Sequence, residues 1–246
     1  MKKLLLLLLL YAIPANATWS RIQRVGFNST SGSATSISIT STGSGHLIVV
    51  EIGWYKAANC TTNMNAPTDN KGGGSSTYNN DAPANNTYGT GCSGIWSTPN
   101  CASGITQVTI NPASAGTYAL GFIEEWSGAA TTTPFDKTAA SGGAVASWTT
   151  TATATLTGST DLAIAIMFQN SNNTSTNTPT NSFGDGGTQT EGVSCGCSSY
   201  TENQVLAATT GIAGTGTAST TVASNSSIAT YKAAAGTSPN MPPAVY

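Results

Sequence analysis

The sequence predicts an all-β protein: two antiparallel sheets packed face to face as a β-sandwich, jelly-roll or immunoglobulin-like. Internal pseudo-duplication and two long loops complete the expectation. Three observations carry it. Ser and Thr alternate with apolar residues at period two in several short stretches, the pattern of half-buried strands. Apolar runs of strand length follow those stretches across Gly/Ser turns, and the longest after the N-terminus is Gly45-His46-Leu47-Ile48-Val49-Val50-Glu51-Ile52-Gly53-Trp54-Tyr55. Finally, no sustained helical period appears, and helix formers are scarce.

Taken in order, residues 19–25 (WSRIQRV) read as an edge strand with Arg21 and Arg24 toward water. Residues 34–42 (ATSISITST) alternate Ile37 and Ile39 with Ser36, Ser38 and Thr40, then turn into the buried run at 46–55. The same phrase recurs: 105–110, a turn, then 117–126; 149–157, a turn, then 161–169; and 217–223, a turn, then 226–232. Grouped, residues 34–128 and 145–233 form two pseudo-repeats of four strands each. Face-to-face antiparallel sheets suit such strands. A β-solenoid would show a short fixed period, which is not visible. The loops at 57–104 and 170–216 are longer than a compact domain needs, and specificity usually sits in such loops. A short strand near Ser75 to Tyr78 is expected in the first.

Residues 1–17 read as a signal peptide: Met1-Lys2-Lys3 is basic, Leu4 to Leu10 apolar, and Ala15-Asn16-Ala17 fits a small-x-small cleavage site. The segment is too short for a stable bilayer anchor, so no membrane insertion is expected after cleavage. One domain at 18–233 and an irregular tail at 234–246, with Pro239, Pro242 and Pro243, complete the organisation. The expected location is secreted, either extracellular or on a particle surface.

Losing Lys2 and Lys3 with the leader takes the formal charge from −2 to −4, and only 7% of residues are charged. That gives no electrostatic footprint for nucleic acid and no basic patch for anionic lipid. Weak surface charge does little to oppose self-association.

The five cysteines, Cys60, Cys92, Cys101, Cys195 and Cys197, fall in the two loops, and in an exported protein they suggest disulfides. A Cys60–Cys101 bridge would close the first loop, leaving Cys92 to reach Cys195 or Cys197; several pairings are open. Cys195-Gly196-Cys197 lacks the spacing of a thiolate metal site. His46 is the single histidine, with no G-x-S-x-G elbow beside it, and reads as structural.

Glu51 shares a face with Leu47 and Val49, while Glu124 and Glu125 point to opposite faces of their strand. A glycosidase needs two carboxylates ~5–9.5 Å apart, so Glu51 with Glu124 or Glu125 is the catalytic candidate. The more ordinary reading is a strand-end or edge carboxylate satisfied by Lys56 or a backbone donor. No cofactor is expected, although Asp69 and Asp185, in corresponding loops, could supply calcium ligands; Asx-Gly turns account for both. Tyr78, Tyr88, Trp96 and Tyr200 lie in or beside the loops and could stack on sugar faces. The threonine ladder from Thr149 to Thr157 could face an ordered lattice, though threonine is also the ordinary solvent-face residue of strands.

Glu125-Trp126-Ser127-Gly128 followed by Thr133-Pro134-Phe135-Asp136 resembles a loose group of secreted bacterial and phage-associated β-sandwich modules. The likeness extends over residues 30–233 in style and over those few positions in letters. It implies an immunoglobulin-like or jelly-roll sandwich in an extracellular setting, without an established activity. The long Cys-bearing loops depart from the short-looped form.

Three functions follow as expectations. One is a non-catalytic module binding glycans or another surface component through disulfide-pinned loops. The second is a structural subunit of a surface layer, filament or virus-like particle. The third is a glycoside hydrolase.

Overall fold

The computed structural model describes residues 18–29, 32–55, 64–71, 77–85, 89–170, 178–191 and 195–235. The leader, Cys60, Tyr88, the tail beyond 235 and the side chain of Asp185 lie outside the described residues. Among the described residues all regular structure is β, and every pairing is antiparallel.

The strands are β1 (Ser20–Ser29), β2 (Thr35–Ser38), β3 (Leu47–Tyr55), β4 (Met64–Asp69), β5 (Asn79–Asn85), β6 (Gly91–Thr98) and β7 (Gln107–Pro112). They continue with β8 (Tyr118–Ser127), β9 (Phe135–Thr149), β10 (Leu162–Gln169), β11 (Thr178–Pro179), β12 (Gly184–Glu191), β13 (Cys197–Val205) and β14 (Thr215–Tyr231). A five-stranded sheet runs β1-β8-β3-β6-β5, and a three-stranded sheet runs β2-β7-β4. The third sheet runs β11-β14-β10-β13-β12, with β9 also on β14.

The pleat of β3 explains the layering. Ile48, Val50, Ile52 and Trp54 point one way and pack with Val108 and Ile110 of β7, Ile37 of β2 and Met64 of β4. Leu47 and Val49 point the other way and meet Leu162, Ile164 and Ile166 of β10 and Tyr231 of β14. The central sheet is thus covered on both faces at β3, which reads as a nearly continuous apolar run rather than an alternation. Each such aliphatic side chain, fully buried, contributes about 1.5–3 kcal/mol. A third core, with Trp148, Met167, Phe183 and Tyr200, lies on the far face of β10 and β13.

Glycine permits the closest approaches. A Cβ on Gly121 would sit 1.8 Å from the Glu51 carbonyl oxygen, and one on Gly91 would sit 2.2 Å from the Phe168 ring.

Expectation and structure part in three places. Among the described residues three sheets form, not two, because the first two polar-strand/apolar-strand units change layer at their turns: β2 and β7 pair with each other, while β3 and β8 pair in the central sheet. The fourth unit does not turn at Ser224-Asn225, which lie within the single strand β14. The two long loops each contain three strands. The first holds β4, β5 and β6 and the second β11, β12 and β13. β6 (GCSGIWST) is buried along its whole length, and its small polar residues hide the pattern. The expected short strand at Ser75 to Tyr78 falls partly outside the described residues; β5 begins at Asn79.

Residues 150–156 form no strand. Thr150, Thr153 and Leu156 are buried with two exposed residues between each, a period of three. Thr150 and Thr153 hydroxyls accept the N–H groups of Gly214 and Ile212. No flat threonine array exists along this stretch.

Candidate functional site

At one side of the layered sheets the edge strand β5 lies beside β9. A cavity of about 430 Å³ opens there, lined by Asn79, Asp81, Ser97, Pro99, Thr133, Pro134 and Phe135. A backbone irregularity builds it. In the β5–β6 ladder Asn80 faces Trp96 and Ala82 faces Ile95, so Asp81 is the extra residue of a β-bulge. Bulges re-aim side chains and are frequent beside functional sites. Pro83, which can donate no ladder hydrogen bond, suits β5 as an edge.

The bulge turns the Asp81 carboxyl inward, where it is 6% exposed and accepts a hydrogen bond from the Ser97 hydroxyl. The Tyr231 hydroxyl also interacts with it. Burial pushes the carboxyl up to about 6, against a pull downward from the two hydroxyls. Opposite, Phe135 opens β9 across from Tyr231, their rings edge to face at 6.4 Å. Its position is pinned by the Pro134 carbonyl, which accepts the Lys232 N–H at 2.7 Å. Thr133 turns the chain with a left-handed φ of 44°. One carboxyl, two hydroxyls and one amide therefore line a cavity walled by a phenyl ring and two prolines. Ligand seats combine groups in this way.

Other sequence candidates fall elsewhere. Glu51 and Glu124 do come together between the central and third sheets, but at 0% and 1% exposure. Burial, then Glu124, holds Glu51 well above the usual carboxylate range, and burial raises Glu124 too. Arg21 donates to Glu124 at 3.2 Å and the Trp126 indole donates at 2.7 Å. A polysaccharide cannot reach this pair, so the glycosidase expectation loses its physical basis.

Glu125, on the opposite face, accepts from the Gly43 N–H at 2.9 Å and from Gln23 at 2.6 Å, and lies 2.6 Å from His46 Nδ1. It clamps the turn that leads into β3, and His46 is part of that clamp.

The aromatic expectation is also corrected. Tyr78, Trp96 and Tyr200 are 5%, 3% and 1% exposed. Trp96 packs on Trp54 at 5.8 Å and Tyr200 on Trp148 at 6.0 Å. Their segments are strands with covered faces, so these rings belong to the cores rather than to a stacking surface. Asp69 accepts the Lys71 N–H at 2.9 Å, a local turn bond. Among the described residues no cluster of three or more His, Cys, Asp or Glu is placed to hold a metal.

Cys101 is buried and free, its thiol donating to the Gly43 carbonyl at 3.4 Å, which removes the expected Cys60–Cys101 bridge. The Cys195 and Cys197 sulfurs lie against each other.

Sequence reasoning missed Asp81, Ser97 and Asn79, because the polar stretch around Asn79-Asn80-Asp81 reads as loop. Phe135 was within the Pro134-Phe135-Asp136 segment, but nothing local revealed that it faces a cavity. Asp136 of that segment instead accepts the Thr157 N–H and hydroxyl, both at 2.7 Å.

No protein-family model matches the chain, and comparison with curated proteins and with solved structures found no match.

Proposed function

We propose that the protein is a secreted, non-catalytic binding module that recognises a glycan or another surface component in the pocket at the β5–β9 seam. The observation that carries this reading is the bulged Asp81, delivered beside Ser97 into a cavity with an aromatic and proline wall. Polar groups converging on an apolar-walled hollow orient a ligand while the wall removes its carbon skeleton from water. A repeated sheet supports the reading of an internal duplication. Laying β1, β8, β3, β6 and β5 on β9, β14, β10, β13 and β12 reproduces one strand order in both large sheets. Bridged cysteines belong to the same reading, as stiffeners in an oxidising compartment.

A glycan array followed by calorimetry on the best binder tests it. Asp81→Asn and Phe135→Ala, checked for folding by near-ultraviolet circular dichroism, are expected to weaken binding about tenfold or more, the loss typical of a hydrogen bond to a charged group. Binding that both folded variants retain unchanged would place the ligand elsewhere and end the proposal.

A further inference from the structure

The pocket contains an electrostatic imbalance. Asp81 is the one charged side chain among its lining residues, and among the described residues no lysine or arginine pairs with its carboxyl. The other groups against it are the neutral hydroxyls of Ser97 and Tyr231; Glu51, which acts on Tyr231, is a second acid. A buried carboxylate without a counter-charge is costly, and a cation beside it offsets that cost. Phe135, Pro134 and Pro99 line the same cavity, and their surfaces suit carbon substituents. A phenyl face also attracts an organic cation.

Taking the seam pocket as the ligand seat, we propose that its ligand carries an ammonium group, with the nitrogen against Asp81 and the adjoining carbons against Phe135, Pro134 and Pro99. The shared chemistry covers amino sugars and alkylammonium headgroups. An inorganic cation suits the pocket less well, because one carboxyl, two hydroxyls and an amide offer fewer oxygen ligands than the roughly six to eight that calcium takes, and a single full charge.

The pH dependence has a fixed sign. Asp81 ionises near 6, so an ammonium ligand binds a carboxylate above that pH and meets a neutral carboxyl below it. Binding therefore weakens as pH falls from 7.5 to 5 ~.

The test is calorimetric titration of the full chain with glucosamine, choline, glucose and N-acetylglucosamine, and with calcium chloride, at both pH values. Glucosamine or choline should bind at the higher pH, weaken at the lower, and lose about tenfold or more in Asp81→Asn. Which of the two binds more tightly separates the amino-sugar source from the alkylammonium source. Asn79→Trp, a change at an exposed lining position that fills the pocket, should also abolish binding. Glucose or N-acetylglucosamine binding as well as glucosamine, with Asn79→Trp still blocking, overturns the ammonium inference and leaves the pocket reading intact. Calcium alone binding through Asp81 overturns it as well, as does no binding by either amine. An array ligand untouched by Asn79→Trp overturns the pocket reading itself.

Discussion

Glu202 gives the sharpest energetic prediction. It lies on β13 opposite Ala165, is 0% exposed, and its Oε1 accepts the Thr215 N–H at 2.8 Å while Oε2 has no hydrogen-bond partner. Burial pushes its carboxyl from the ordinary 4.5 up to about 9, only partly opposed by that one N–H. The folded state therefore holds a proton that the unfolded chain has released between those two values. Stability from this group is fully present below 4.5 and falls as pH rises through the window, at about 1.4 kcal/mol per pH unit. By pH 7 the loss is roughly 3 kcal/mol, and across the whole window about 6 kcal/mol, as order-of-magnitude upper figures. Glu202→Gln keeps an oxygen acceptor for Thr215 and cannot ionise. Its amide NH2 adds a constant offset of about 1–3 kcal/mol if left unpaired, so the slope is the quantity to compare. Urea unfolding of both proteins, followed by tryptophan fluorescence at fixed ionic strength from about pH 4.5 to 9, reads that slope. The variant should gain on the wild type steadily as pH rises. The other buried acids titrate in both proteins and drop out of the difference. Parallel profiles would refute the assignment of a buried, proton-holding Glu202.

Four further outcomes are expected. Gly91→Val drives a side chain into the Phe168 ring, and overpacking of this kind should cost about 1–3 kcal/mol in urea unfolding. Ile164→Ala, at a position with 0% exposure, should cost about 2–5 kcal/mol in the same assay. Asp136→Asn weakens the anchor on Thr157 by about 1–3 kcal/mol. Burial opposes ionisation of Asp136, but its hydrogen bonds from Thr157 and Lys137 win and lower it below the ordinary 3.8. Its contribution is thus present above 3.8 and lost as pH falls through the folded value, an acid loss the variant should lack in a pH-dependent melt. Burial pushes the free Cys101 thiol up to about 11, so iodoacetamide at mildly alkaline pH should leave it unmodified in the native protein and label it after unfolding, as read by peptide mass spectrometry.

Much of the central framework was legible. Ile48, Val50, Ile164 and Ile166 are all fully buried, as their runs require. The alternation along β8 places Glu124 and Glu125 on opposite faces, as period two demands. What escaped reading were strands whose side chains are small and polar on both faces. β6 and β13 are lined by Ser, Gly and Cys yet covered by neighbouring layers, so hydrophobicity did not mark them. The same concealment hid the candidate site, since Ser97 is one of those serines.

The sequence by itself determined that the regular structure of the described residues is β, where the apolar strands lie, and which side chains of each strand share a face. Those properties follow from local sterics and a two-residue repeat, which need no knowledge of partners. Only the tertiary structure decided that successive strands of one unit enter different sheets, that six acids are withdrawn from water, and that a bulge aims Asp81 into a hollow beside Phe135. Asp81 and Phe135 are far apart along the chain and meet because two sheet edges close on each other. Such a meeting is fixed by packing between layers, and packing leaves no mark on the local pattern of residues.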